Sequence, residues 1–63
     1  MGKKLSDLRQ RAGLTQAEVA RRLNVDQSAV SKWETGKSPP LQKYRAQLAA
    51  LYGVNESELT ENQ

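Results

Sequence analysis

The stretch Gln16-Ala17-Glu18-Val19-Ala20-Arg21-Arg22-Leu23-Asn24-Val25-Asp26-Gln27-Ser28-Ala29-Val30-Ser31-Lys32-Trp33-Glu34-Thr35 decides the fold of this 63-residue chain. It is entered through Thr15-Gln16-Ala17-Glu18, a capping box: the Thr15 hydroxyl accepts from the Glu18 amide, and the Glu18 carboxylate accepts from the Thr15 amide. A helix then runs to Leu23, with Val19, Ala20 and Leu23 on its inner face. Asn24 tolerates the left-handed conformation needed to leave a helix sharply. Val25 is a buried residue in the turn. Asp26 caps a second helix that runs to about Glu34, with Val30 and Trp33 inward. Ala20 is small where the two helices cross. The spacing thus predicts two helices of about eight residues joined by a three-residue turn, with Val19, Leu23, Val25, Val30 and Trp33 filling the wedge between them.

Outward from this unit the same reading continues. Leu5, Leu8 and Ala12 recur at helical spacing and predict an amphipathic helix from about Lys3 to Ala12, stopped by Gly13. Arg9 and Arg11 near its end suit the helix dipole. Thr35-Gly36-Lys37-Ser38-Pro39-Pro40 is a loop, because the prolines block helical continuation. A helix from Pro40 or Leu41 carries Leu41, Tyr44, Leu48, Leu51 and Tyr52 inward and ends at Gly53. Val54 reads as a second buried turn residue. Asn55-Glu56-Ser57-Glu58 caps a last turn that brings Leu59 back to the core, and residues 60–63 fray. The expectation is an all-α chain of five short helices, with no strand.

Length and composition narrow what such a chain can be. Sixty-three residues make one small domain, residues 1–63, in which a core is marginal unless the helices pack economically. There is no cysteine and no histidine, so disulfides are excluded and a metal site lacks its usual ligands. Nucleophilic or general-base catalysis by either residue is excluded with them, and no catalytic constellation or cofactor motif is present. No apolar run approaches the roughly 20 residues of a membrane span, nor is there a secretory signal, so a soluble cytoplasmic domain is expected. Met1-Gly2-Lys3-Lys4-Leu5-Ser6 matches an N-myristoylation pattern, but the pattern is short and Leu5 is wanted in the core. Charge is lopsided. All ten Lys and Arg lie in residues 1–45 with four acids, a net of +6, whereas residues 46–63 hold three acids and no base. This suits a basic face for a polyanion and an acidic end turned away from it; solvated helix faces would give the same balance.

Two short helices about a three-residue turn are the helix-turn-helix pattern, with the second helix placed for a DNA major groove. Over residues 3–59 the chain resembles the phage repressor/Cro-type helix-turn-helix family, the xenobiotic-response-element-like regulators. The resemblance is carried by Leu8-Arg9, Gly13-Leu14-Thr15-Gln16, Val19-Ala20, Leu23, Val25, Val30-Ser31-Lys32-Trp33-Glu34 and Gly36-Lys37. It implies a compact five-helix, lambda-repressor-like DNA-binding domain, with its helix-turn-helix core at 16–35. It also implies a transcriptional regulator, a repressor in our expectation, acting as a weak homodimer on a palindromic operator in double-stranded DNA, with no cofactor, metal or membrane partner. At Gln42 and Arg45 the family usually carries apolar residues, whereas here the apolar positions are Leu41 and Tyr44.

Site residues follow from position and chemistry. Gln27, Ser28, Ser31 and Lys32 are the polar residues of the third helix: Gln pairs bidentately with adenine, Lys reaches guanine, and Ser is permissive. Lys32 reaching a phosphate is the alternative. Gln16 opens the second helix, where its side chain and the free first-turn amides can hold a phosphate; otherwise it is an ordinary first-turn residue. Lys37, in the loop after Gly36, can clamp a second phosphate, and Ser38 and Lys43 are weaker candidates of that kind. The resemblance pairs Arg9 with Glu34 as a partly buried ion pair, against the alternative of a free Arg9 on DNA. Trp33 belongs to the core rather than to a base stack. A protein-interaction module of antitoxin or adaptor type is the competing function, and it would lack the steep salt dependence of phosphate binding.

Overall fold

The structure, a computed structural model, describes residues 2–60, with side chains from Leu5 to Leu59. Of the expected fraying of 60–63, Thr60 is instead the last residue of a helix, while 61–63 and the Met1 of the acylation pattern lie outside the described residues. Five α-helices follow in order: α1 (Gly2–Arg11), α2 (Gln16–Leu23), α3 (Gln27–Thr35), α4 (Gln42–Tyr52) and α5 (Glu56–Thr60). There is no strand among the described residues.

The first four helices end alike. Each is followed by a left-handed residue, Gly13, Asn24, Gly36 or Gly53. The next amide then returns to a carbonyl of the last turn: Leu14 to Arg9 (3.2 Å), Val25 to Ala20 (2.9 Å), Lys37 to Lys32 (3.0 Å) and Val54 to Ala49 (2.9 Å). This motif satisfies carbonyls that the helix itself cannot, and three times out of four it folds a half-buried apolar residue back onto the core. Asn24 is the one non-glycine among the four, at φ 60° and ψ 46°.

The core is assembled from Leu5 and Leu8 of α1, Val19, Ala20 and Leu23 of α2, Val30 and Trp33 of α3, Leu48 and Ala49 of α4, and Leu59 of α5. α3 packs against both α1 and α2; α4 packs against α5 and α1. The end of α2 and the second half of α4 leave an open groove between them, lined by Arg22, Leu23, Gln47, Ala50 and Leu51.

Three local expectations are corrected. Ala12 is exposed, because α1 has already ended and Ala12 sits in its closing turn. Leu41 is 65% exposed rather than inward. It is the N-cap of α4, with extended backbone at φ −64° and ψ 158°, so its side chain lies off the helix's inner stripe. Pro40 is buried in its stead. Tyr44 does turn inward and lies against Trp33, with ring centroids 5.4 Å apart. Arg45, the polar departure from the family pattern, is accommodated by donating from Nη1 to the Pro40 carbonyl at 3.0 Å. Finally, Asp26 has N-cap dihedrals, yet its carboxylate takes no amide of α3. The first turn is held by its backbone carbonyl, which accepts from Ala29 at 3.0 Å.

Candidate nucleic-acid interface

α3 carries two opposed stripes. Val30, Trp33 and Glu34 are buried. Gln27, Ser28 and Lys32 are exposed and Ser31 is half-buried. Residues three and four apart share a helix face, so Gln27, Ser28, Ser31 and Lys32 form one outward polar strip running from the start of α3 toward its end. Lys37 and Ser38 are exposed beyond the end of α3. Lys43 is exposed at the start of α4, and its ammonium sits 5.0 Å from the centre of the Tyr44 ring, within cation–π range.

Behind the strip is a polar cluster in an otherwise apolar interior. Glu34 is 8% exposed. Its Oε2 accepts from Arg9 Nε at 2.6 Å, and its Oε1 accepts from Arg9 Nη2 at 3.3 Å. Arg9 Nη1 donates to the Leu14 carbonyl at 2.8 Å. The guanidinium thus ties α1 to the end of α3 and to the turn before α2. Hydrogen bonding to Glu34 is the main reason that the Arg9 pKa is raised above its ordinary value, against the opposing effect of burial. Every buried side-chain polar atom among the described residues has a partner, as a stable low-dielectric cluster requires. Tyr52 borders the pair. Burial first, and the charge of Glu34 second, push its hydroxyl up to about 12.

The cluster reaches the surface through two amides. Gln16 Nε2 donates to Glu34 Oε1 at 2.9 Å. Gln16 Oε1 in turn accepts from Gln27 Nε2 at 3.4 Å. Sequence reading set Gln16 toward a phosphate; the structure brings its side chain together with Gln27 and the buried carboxylate. The signal available beforehand was the inventory of Glu34, which has more acceptor capacity than one arginine satisfies. At the start of α2 the capping box is formed, with Glu18 N donating to Thr15 Oγ1 at 3.1 Å and Thr15 N donating to Glu18 Oε1 at 2.8 Å. The backbone bond from Thr15 is the leading reason that the Glu18 carboxyl lies below its ordinary pKa. The amides of Gln16 and Ala17 are outside this box, at the positive end of the helix next to Gln27.

Among the described residues there is no helix long and apolar enough to cross a membrane and no cluster of side chains that could hold a metal ion. Comparison with known proteins gives a consistent result. The chain is 38% identical over 56 residues to the HTH-type transcriptional activator BcrR of Enterococcus faecalis, covering 89% of this chain and 28% of that protein. It is 36% identical over 59 residues to the HTH-type transcriptional regulator ImmR of Bacillus subtilis (strain 168), covering 94% of this chain and 46% of that protein. It therefore spans less than half the length of either relative. No solved structure matches it comparably. A profile described as the helix-turn-helix domain matches residues 1–61, and with α2, its turn and α3 in place the chain belongs to the helix-turn-helix domain family.

Proposed function

We propose that the chain binds double-stranded DNA sequence-specifically and regulates transcription, with α3 in the major groove. The observation that carries this reading is the exposed strip of Gln27, Ser28, Ser31 and Lys32 on α3, set opposite the buried stripe and beside the amino end of α2. Gln27 and Ser28 read base edges; Ser31 and Lys32 extend the contact along the groove. Lys37 and the first-turn amides of α2 hold phosphates and fix the register, with Ser38 and Lys43 contributing at most peripherally. Arg9 and Glu34 act from behind this surface as its structural tie.

One domain of this size offers few base contacts, so two copies bind half-sites of a palindromic operator about one helical turn apart. The end of α4 and the acidic residues of α5 form the contact between copies, which is weak because most apolar surface is already in the core. Occupancy of a site overlapping a promoter makes the regulator a repressor, working in the cytoplasm on the nucleoid. Selection of bound sequences from random duplex DNA tests the reading. A palindrome with fixed half-site spacing is the expected result. Recovery of no preferred sequence, with binding that barely responds to salt, would overturn it in favour of a protein partner.

A further inference from the structure

We propose that Arg45 is a positioning residue for DNA binding: by holding the Pro40 carbonyl it keeps the loop between α3 and α4 closed, and so presents Lys37 to a phosphate without touching DNA itself. The inference rests on Lys37 being a phosphate contact, and extends that reading to a residue on another helix.

The loop is bonded unevenly along its length. At the α3 end, the Lys32 carbonyl accepts from the Lys37 amide at 3.0 Å and, at the outer limit of a hydrogen bond, from the Ser38 amide at 3.5 Å. Pro39 and Pro40 come next, and neither has an N–H to donate. No backbone amide among the described residues bonds to the carbonyls of Ser38, Pro39 or Pro40. The backbone alone therefore leaves this stretch without a tie before α4 begins. A side chain supplies one. Arg45 is half-buried near the start of α4, and helical side chains lean back toward the amino end of their helix. Its Nη1 reaches the Pro40 carbonyl and donates at 3.0 Å. The bond is charge-assisted, and Pro40 is buried, so water competes poorly for that carbonyl.

This tie bears on Lys37 through the end of α3. The turn that closes a helix frays unless the chain beyond it is anchored. Lys37 stands in that closing turn with its side chain exposed, and the Arg45 bond is the next firm anchor along the chain. While it holds, the backbone that carries Lys37 is ordered before DNA arrives. Without it the phosphate contact still forms, but binding must first order the loop. Fixing the backbone of about one residue corresponds to a loss of about 5- to 30-fold in affinity.

The test is a double-mutant cycle on the full chain. Wild type, Arg45→Met, Lys37→Ala and the double variant are titrated on a selected duplex and on random duplex at several salt concentrations, with folding checked by circular dichroism and urea midpoint. Arg45→Met should weaken both duplexes alike, by about 5- to 30-fold. Its salt slope should stay within about half a unit of wild type, because no phosphate contact is lost. In the Lys37→Ala background the same substitution should cost less than about twofold, since the loop then has nothing to present. Arg45→Lys, which keeps a donor on a long stem, should restore most of the affinity. In the free protein, backbone order parameters at Ser38 and Leu41 should fall from about 0.85 toward about 0.6 in Arg45→Met. Equal losses in the two backgrounds, or a slope lower by about one unit, would mean that Arg45 meets a phosphate directly and would overturn the proposal. Unchanged affinity in a folded Arg45→Met overturns it as well. Should that variant not fold, Arg45→Gln, whose amide is too short to reach Pro40, is read in the same way. If Lys37→Ala alone leaves affinity unaltered, the loop holds no phosphate: the docking itself has then failed, and the proposal with it.

Discussion

Arg9→Ala should bring the domain close to unfolding in the absence of any DNA. The guanidinium makes three bonds, at 2.6 and 3.3 Å to Glu34 and 2.8 Å to the Leu14 carbonyl. Its side chain is 14% exposed and that of Glu34 is 6% exposed, so the pair is shielded from water. Truncation leaves the carboxylate buried, with the Gln16 amide as its remaining donor. Removing one partner of such a pair costs about 3–5 kcal/mol, most of it the penalty of an uncompensated buried charge. A chain this short has a total stability of about 3–9 kcal/mol. At a urea dependence of about 1 kcal/mol per molar, the midpoint should fall by about 3 M or more. Urea titration followed by Trp33 fluorescence and far-ultraviolet circular dichroism measures it. Replacing both partners, as Arg9→Met with Glu34→Leu, should recover most of the loss, because the penalty belongs to the orphaned charge and not to the pair. Unfolding of Arg9→Ala at the wild-type midpoint would refute the reasoning and leave Arg9 available as a DNA contact.

Further outcomes follow from other sites. Lys37→Ala should weaken specific and random duplexes about equally and reduce the salt slope by about one unit, checked by titrations at several salt concentrations. Tyr52 has its folded pKa raised to about 12, so its contribution to stability is complete below the unfolded value of about 10 and is lost as pH rises from about 10 toward 12. With allowance for partial solvent screening the loss should be about 1–2 kcal/mol, and Tyr52→Phe melted across that range should lack it. Asn24→Val places a β-branched residue at φ 60° and should cost about 1–3 kcal/mol, whereas Asn24→Gly should be near neutral; thermal melts separate them, since about 1 kcal/mol moves Tm by roughly 4–8 °C at this size.

What could be read in advance was what is decided within a few residues. The capping box at Thr15 and Glu18, the left-handed Asn24 and the inward Val19, Leu23, Val30 and Trp33 each follow from local spacing. Errors fell where a neighbour distant in sequence, or a one-residue shift, decides. Leu41 has the spacing of a core residue, but one position outside the helix start is enough to turn it to solvent while Pro40 is buried. Asp26 stands at the right place for a cap, and nothing in its neighbourhood told that its carboxylate would be unused. The contact of Gln16 with Glu34 joins residues 18 positions apart. Only the packing of α2 on α3 creates it, so local spacing does not show it, and it adds to the phosphate reading of Gln16 without replacing it.

The repeated helix stop also bears on how the chain reaches this structure. Each stop is written within about six residues, and each returns the chain to its own last turn before any distant partner is needed. Little loop-closure entropy stands between the unfolded chain and the α2–α3 unit. Helical domains built from such local contacts fold in roughly microseconds to milliseconds. With no unpaired strand edge among the described residues, a newly made copy presents little that could seed aggregation while it does so. Slow steps, if the kinetics are followed, belong to assembly on DNA and not to the making of the domain.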